Sequence, residues 1–101
     1  MGYTDIPEFE WDPAKDRQCK KQRGFSFTFA SRAFFAPQTL VLPDNRHEYE
    51  EDRFQLFAPI NNRLYCVVFT YRGANIRIIS ARKANQREVN KHGYSLLQTR
   101  S

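Results

Sequence analysis

The alternation of apolar and polar positions predicts a β-hairpin between residues 64 and 81. Its first arm, residues 64–71, is an almost unbroken run of aliphatic, β-branched and aromatic residues, which is typical of a central strand. Its second arm, residues 75–81, follows a short loop that contains Gly73, so the two arms are expected to pair antiparallel. The rest of the predicted sheet is organised around this hairpin.

The second arm places an arginine in the middle of a strand. A period of two puts Ile76, Ile78 and Ser80 on one face and Arg77, Ile79 and Ala81 on the other. The face that carries Arg77 is therefore expected to meet something other than core. Arg77 and Arg82 can serve one groove only if a bulge or the strand end turns one of them, because their spacing puts them on opposite faces of a regular strand.

The N-terminal part predicts an edge strand and two helices. Residues 9–11 alternate, with Glu10 facing water. A helix over residues 13–23 is bounded by a capping aspartate, a proline at the first helical position and a glycine suited to a left-handed cap, namely Asp12, Pro13 and Gly24. A second helix, capped by Ser26 and ended by Pro37, carries Phe27, Ala30 and Phe34 at helical spacing.

The remaining elements complete an α+β plan. Strands are predicted over residues 38–42 and 53–57, with a turn at Asn61-Asn62 leading into the hairpin. Asn85 and Glu88 form a capping-box arrangement that begins a short helix, which is expected to stop at Gly93. We therefore predict one domain over residues 1–101, with a small antiparallel sheet of four to five strands, two N-terminal helices and one C-terminal helix. The helices are expected to cover one face of the sheet.

Charge is distributed unevenly along the chain. Residues 1–52 hold ten of the eleven acidic residues and seven Lys or Arg, a net charge of −3, whereas residues 53–101 hold nine Lys or Arg and one acid, a net charge of +8. Such asymmetry is consistent with a surface that binds a polyanion, most often a nucleic acid, and equally with a solvated basic face that has no ligand.

Composition excludes several classes of protein. No apolar run approaches the roughly 20 residues of a membrane span, and the N-terminus lacks the pattern of a signal peptide, so a cytoplasmic protein without a membrane partner is expected. The two cysteines, Cys19 and Cys66, lack the Cys and His neighbours of a zinc site, so reduced thiols are expected. We predict no metal and no cofactor.

Several motifs, in the same order along the chain, resemble the BrnT toxins, a branch of the RelE-like ribonuclease toxins of bacterial type II toxin–antitoxin systems. They are residues 9–15, 24–27 and 51–54, and the most distinctive run, Ile76-Arg77-Ile78-Ile79-Ser80-Ala81-Arg82-Lys83-Ala84 followed by Arg87-Glu88. The chain departs from the family pattern at Gln22-Arg23, at Ala58-Pro59 and at His92.

The resemblance implies a RelE-like fold and a basic groove that cleaves RNA and inhibits translation. It also implies a cognate antitoxin, commonly a ribbon-helix-helix protein, that blocks the toxin and through which the complex binds operator DNA. Metal-independent RNA cleavage needs a base for the 2′-OH, an acid for the leaving oxygen and cations for the phosphate charge. Because the 2′-OH is the nucleophile, no catalytic Ser or Cys is required.

Candidate catalytic residues follow from these needs. Arg77 is the first choice for a phosphate clamp, with Arg53 and Arg82 as further choices, and Glu51 and His92 are the acid or base candidates. The three arginines and the histidine each have a plainer interpretation: an exposed strand arginine for Arg77, ion pairs with the acids of residues 44–52 for the other two arginines, and a surface or helix-end position for His92.

Candidate RNA-binding residues are Lys83, Arg87, Lys91 and Tyr94. Arg87 and Lys91 lie one helical turn apart and either contact phosphates or form an ordinary solvated face. Tyr94 either stacks on a base or anchors the last helix. Two functions are therefore predicted: a metal-independent endoribonuclease toxin, or a catalytically degenerate module of the same fold that binds RNA or an antitoxin. A DNA-binding subunit is a weaker third, because the chain offers no clear helix-turn-helix.

Overall fold

The structure, a computed structural model, describes residues 8–45 and 51–97. Its centre is a five-stranded sheet in the order β1-β5-β4-β3-β2. The strands are β1 (Phe9–Trp11), β2 (Leu40–Pro43), β3 (Phe54–Ile60), β4 (Arg63–Arg72) and β5 (Asn75–Lys83). The helices are α1 (Pro13–Arg23), α2 (Phe27–Ala30), α3 (Gln86–Glu88) and α4 (Tyr94–Leu97). The predicted α+β class is confirmed.

The predicted hairpin is formed by β4 and β5. The pairing runs from Tyr65 opposite Lys83 to Arg72 opposite Asn75, which leaves a tight turn at Gly73 and Ala74. Gly73 has a φ of +61°, a left-handed conformation that glycine adopts without strain. The turn before β4 is made by Asn61 and Asn62 with φ of 52° and 65°, as the asparagine pair predicted.

The edge strand β1 pairs with β5 in parallel, with Phe9 opposite Ile76 and Trp11 opposite Ile78. The Ile76 N–H donates to the Glu8 carbonyl at 2.9 Å. The sheet is therefore mixed, whereas the sequence predicted antiparallel pairing throughout. Side-chain alternation predicts which residues of a strand are buried but carries no information on its direction relative to a distant partner.

A bulge interrupts the pairing of β4 with β5. Phe69 pairs with Ile78, but the preceding residue of β4, Val68, pairs with Ser80, so Ile79 is the extra residue. Beyond the bulge Ala81 is buried in the same cluster as Ile78, and Ser80 is exposed. The predicted faces of Ser80 and Ala81 are therefore wrong, because an inserted residue reverses the alternation after it.

One face of the sheet is covered by the N-terminal helices, and we call it the helix-covered face. The Asp12 carboxylate caps α1 by accepting from the Ala14 N–H at 2.9 Å, and Gly24 ends it with a φ of +85°. After α2 the chain tightens into a 3₁₀ helix, Ser31–Phe35, so the second helix is shorter and less regular than predicted. The core of this face combines residues of α1, α2 and the strands, among them Cys19, Phe27, Ala30, Val67, Phe69 and Ile78.

The C-terminal helix covers part of the opposite face. The capping box of Asn85 and Glu88 begins α3 as predicted, but the chain does not stop at Gly93. It passes through a π-helical turn, Val89–Gly93, into α4, because Gly93 does not take the left-handed conformation of a helix cap. Leu96 then packs on Phe57, Leu64 and Cys66. The prediction that helices cover one face only is therefore wrong.

Two further predictions concern cysteines and membranes. Cys19 and Cys66 are both buried and neither is in a disulfide, and burial raises the pKa of the Cys19 thiol. Within the described residues, no helix has the length and apolar character needed to cross a membrane.

Candidate active site

The part of the second face that α3 and α4 leave uncovered carries a row of arginines, and we call it the arginine face. The bulge at Ile79 brings Arg77, Ser80 and Arg82 to this side, since they are the residues of β5 opposite Thr70, Val68 and Cys66. The sequence predicted that Arg77 and Arg82 can share a groove only if the strand is irregular between them, and this bulge is such an irregularity. Along the backbone the two arginines are separated by about 13 Å, four residues of the partner strand at a rise of roughly 3.3 Å each.

Arg77 is held by β1. Its Nη1 donates to Glu10 Oε2 at 3.1 Å, and Asn75 Nδ2 donates to Glu10 Oε1 at 3.3 Å. The hydrogen bonds from Asn75 and Arg77 lower the pKa of the Glu10 carboxyl, which is partly exposed to solvent. This contact follows from the pairing of Glu10 with Arg77 in the parallel ladder. Glu10 therefore faces Arg77 across the sheet rather than water alone.

Arg53 lies just before β3 and shares a carboxylate with the hairpin. Glu51 forms ion pairs with both arginines, at 3.7 Å to Arg53 Nη2 and at 3.5 Å to Arg72 Nε. This is the ion pair with the 44–52 segment that the sequence offered as the plainer interpretation of Arg53. Residues 46–50, which include Glu48 and Glu50, lie outside the described residues, so ion pairs of these two acids with the arginines stay a prediction.

A cavity of about 190 Å³ joins these groups. Its lining includes Glu51, Arg53, Arg72 and Arg77, together with Asp12 and Lys15 where β1 passes into α1. The structure thus brings together three of the predicted catalytic residues, Glu51, Arg53 and Arg77. Lys15, Arg72 and Glu10 belong to the same neighbourhood and were not predicted. Their positions depend on the parallel pairing of β1 and on the turn at Gly73. Neither of these features is a signal of a binding site in the sequence.

Arg82 and His92 form a second group on the same face. Arg82 makes a bidentate ion pair with Glu88, at 2.7 Å from Nη1 to Oε1 and 2.8 Å from Nη2 to Oε2. The hydrogen bond from Arg82, followed by the bond from the Asn85 N–H, lowers the pKa of the Glu88 carboxyl. The His92 ring packs on the Phe57 ring at a centroid distance of 5.0 Å. Glu88 was predicted only as a helix cap.

The predicted RNA-binding residues do not form one surface. Lys83 shares its face with Tyr65, so it lies on the helix-covered side, away from Arg82. Arg87 and Lys91 are exposed on the C-terminal helix. Tyr94 is 80% exposed and does not anchor that helix, which packs through Leu96 instead.

The arginine face suits a charged, elongated ligand. Arg53, Arg72, Arg77 and Arg82 are each held by one of three carboxylates, Glu10, Glu51 and Glu88. Guanidinium groups that are already held in place on a sheet lose little conformational entropy when they bind phosphate oxygens. Within residues 8–45 and 51–97, no group of three or more His, Cys, Asp or Glu side chains is arranged to hold a metal ion.

Comparison with known protein families gives a match over most of the chain. A protein-family model described as "Ribonuclease toxin, BrnT, of type II toxin-antitoxin system" matches residues 11–88. The match includes Glu51, Arg53, Arg77 and Arg82 and ends before His92. No curated protein matches the chain.

Proposed function

The chain belongs to the BrnT family of ribonuclease toxins of type II toxin–antitoxin systems, and from this premise we propose that it is a metal-independent endoribonuclease. In this proposal it cleaves RNA on the arginine face, inhibits translation and is neutralised by a cognate antitoxin. The observation that carries the proposal is the cavity that joins Arg53, Arg72 and Arg77 to Glu51.

Arg77 is proposed to clamp the scissile phosphate. Only one of its guanidinium nitrogens, Nη1, bonds to Glu10, so the remaining N–H groups can reach a phosphate while the carboxylate keeps the side chain in place. Arg53 and Arg72, which face the same cavity, are proposed to stabilise the charge that develops on phosphorus. Arg82, fixed by Glu88, is proposed to bind a neighbouring phosphate.

Glu51 is the proposed base that deprotonates the 2′-OH. Its carboxylate lies between two guanidinium groups, which place it beside the bound phosphate. His92 is the proposed acid for the leaving 5′-oxygen, and its contact with Phe57 fixes the ring on the same side of the sheet as Arg82. Arg87, Lys91 and Tyr94 are proposed to contact RNA beyond the scissile bond.

The proposed partner is an antitoxin of the ribbon-helix-helix class that covers the arginine face. Binding of operator DNA is proposed to occur only through that partner. A net charge of +5 on the chain favours an acidic covering surface.

A second candidate is a catalytically degenerate module that binds RNA or the antitoxin without cleavage. One observation favours it: each of the four arginines on this face is already paired with a carboxylate. Paired cations attract a polyanion less strongly than cations without partners.

Cleavage of a long RNA in EDTA separates the two candidates. The proposed enzyme releases fragments that end in 2′,3′-cyclic phosphate from free RNA in EDTA or, if it acts on the ribosome, in a parallel reaction that contains ribosomes and the Mg²⁺ they need. RNA binding with intact RNA in both reactions would refute the enzyme and leave the binding module. If EDTA abolished the cleavage of free RNA, the proposed metal independence would be refuted.

A further inference from the structure

The helix-covered side carries a second cluster of cations with aromatic rings. Phe25, Phe29 and Tyr65 meet at centroid distances of 5.3 to 5.8 Å. They line an open cleft of about 420 Å³ together with Arg23 and Lys83, and we call it the aromatic cleft. The Arg32 guanidinium, 5.3 Å from the Phe29 ring centroid, adds positive charge beside it.

A groove connects this cleft with the arginine face. Because β1 ends at Trp11 opposite Ile78, the edge of β5 from Ile79 onward is not paired with a strand, and α1 runs beside it. The α1 groove between them has a volume of about 230 Å³ and is lined from α1 by Lys15, Gln18, Cys19, Gln22 and Arg23.

The three cavities share lining residues. Lys15 and Ile79 line both the arginine-face cavity and the α1 groove, and Arg23 lines both the α1 groove and the aromatic cleft. From Lys15 to Arg23 the path follows α1 for about 12 Å, eight residues at 1.5 Å each. The cavities therefore form one continuous track around the edge of the sheet.

The charge along this track differs from that of the arginine face. Within residues 8–45 and 51–97, no acidic side chain lines the α1 groove or the aromatic cleft. Among the described residues, no carboxylate lies within ion-pair distance of Lys15, Arg23 or Lys83. These exposed cations are therefore available to an anionic ligand, whereas each arginine of the arginine face is already paired.

We propose that single-stranded RNA bound at the arginine face continues along the α1 groove and places an unstacked base in the aromatic cleft. Lys15, Arg23 and Lys83 contact successive phosphates, and the rings of Phe25 and Phe29 stack on the base. Alternating cations with an aromatic platform is the arrangement by which proteins hold single strands. The inference rests on the proposed function in taking the ligand to be RNA.

Binding of a 2′-O-methyl RNA of twelve nucleotides, followed by fluorescence anisotropy, tests this track. Such RNA binds but cannot be cleaved, so the result does not depend on activity. We expect R23E/K83E to lose about tenfold or more in affinity, and the slope of log K against log salt to become shallower by about 1.4, the value for two phosphate contacts. The matched control R17E/K21E makes the same charge change on α1 outside the groove and is expected to lose less than threefold.

A second variant tests the cleft separately. Phe25→Leu keeps an apolar side chain but removes a stacking ring, and it is expected to weaken binding about tenfold while circular dichroism and thermal unfolding remain close to the wild type. Equal affinity losses in R23E/K83E and R17E/K21E would overturn the proposal, as would unchanged binding by Phe25→Leu. Equally tight, equally charge-dependent binding of polyglutamate would overturn it in favour of an acidic protein partner. If the wild type cleaves RNA while R23E/K83E binds the 2′-O-methyl RNA with wild-type affinity, the proposed track is wrong but the proposed ribonuclease function stands.

Discussion

Replacement of Glu88 tests whether one side chain holds both the C-terminal helix and Arg82. Glu88 receives three hydrogen bonds, two from the Arg82 guanidinium and one from the Asn85 N–H at 2.9 Å. Glu88→Ala removes all three. The Glu88 side chain is 19% exposed and that of Arg82 is 27% exposed. The contribution of the pair to the free energy of unfolding is therefore expected to lie between that of an exposed ion pair, under about 1 kcal/mol, and that of a buried charged hydrogen bond, about 1.5–3 kcal/mol.

We therefore expect Glu88→Ala to lower the free energy of unfolding by about 2 kcal/mol. For a domain of this size that corresponds to a fall in Tm of roughly 8–15 °C. Glu88→Gln keeps an oxygen that can accept from the Asn85 N–H but loses the charge that faces Arg82, so about half of the loss is expected. Urea unfolding at pH 7, followed by circular dichroism, measures both variants.

The control for these variants is Glu8→Gln, which neutralises an exposed glutamate outside the ion pairs. It is expected to change the free energy of unfolding by less than about 0.5 kcal/mol. A Glu88→Ala protein as stable as the control would contradict this prediction, because the three hydrogen bonds would then make no net contribution to the free energy of unfolding.

The same variants predict a pH dependence. The pKa of Glu88 lies below its ordinary value of 4.5 in the folded protein, so the unfolded chain binds this proton more readily. Its stabilising effect is therefore complete above about pH 4.5 and is lost as the pH falls through the lower folded pKa. The stability difference between wild type and Glu88→Gln is expected to be constant near neutrality and to shrink in acid. A difference that grew in acid would contradict the sign.

Two further predictions concern exposed positions. Because the Tyr94 ring is 80% exposed, Tyr94→Ala is expected to leave the free energy of unfolding within about 0.5 kcal/mol of wild type. The same variant is expected to weaken RNA binding about fivefold or more in anisotropy measurements. An unchanged affinity would show that Tyr94 does not belong to the RNA-binding surface. Asn62 has a φ of 65°. Asn62→Ala is therefore expected to lower the free energy of unfolding by about 1 kcal/mol, whereas Asn62→Gly is expected to leave it unchanged. Equal thermal stabilities of these two variants would contradict the left-handed conformation.

The features that the sequence predicted correctly are local ones. The Asp12 cap, the Gly24 helix end and the box of Asn85 and Glu88 each depend on residues within one helical turn, so the signal and its structural effect lie in the same few positions. The hairpin of β4 and β5 was predictable because the turn fixes the direction of both arms.

Three features that the sequence missed depend on distant partners. The bulge at Ile79 requires a comparison of β5 with β4, and nothing in the run from Asn75 to Lys83 indicates which residue is inserted. The parallel pairing that sets Glu10 beside Arg77 joins residues 67 positions apart. Lys83, a predicted RNA-binding residue, lies on the face opposite to Arg82, because adjacent residues of a strand point to opposite faces.

Cleavage of RNA by Arg77→Ala tests whether the arginine face is the active site. Arg63→Ala is the matched control, because Arg63 is an exposed arginine of the same sheet that does not line the arginine-face cavity. If the arginine face is the active site, Arg77→Ala lowers the cleavage rate in EDTA by roughly 10²–10³, the usual cost of losing one preorganised donor, while Arg63→Ala cleaves at the wild-type rate. A folded Arg77→Ala protein that cleaved RNA as fast as the control would contradict the account.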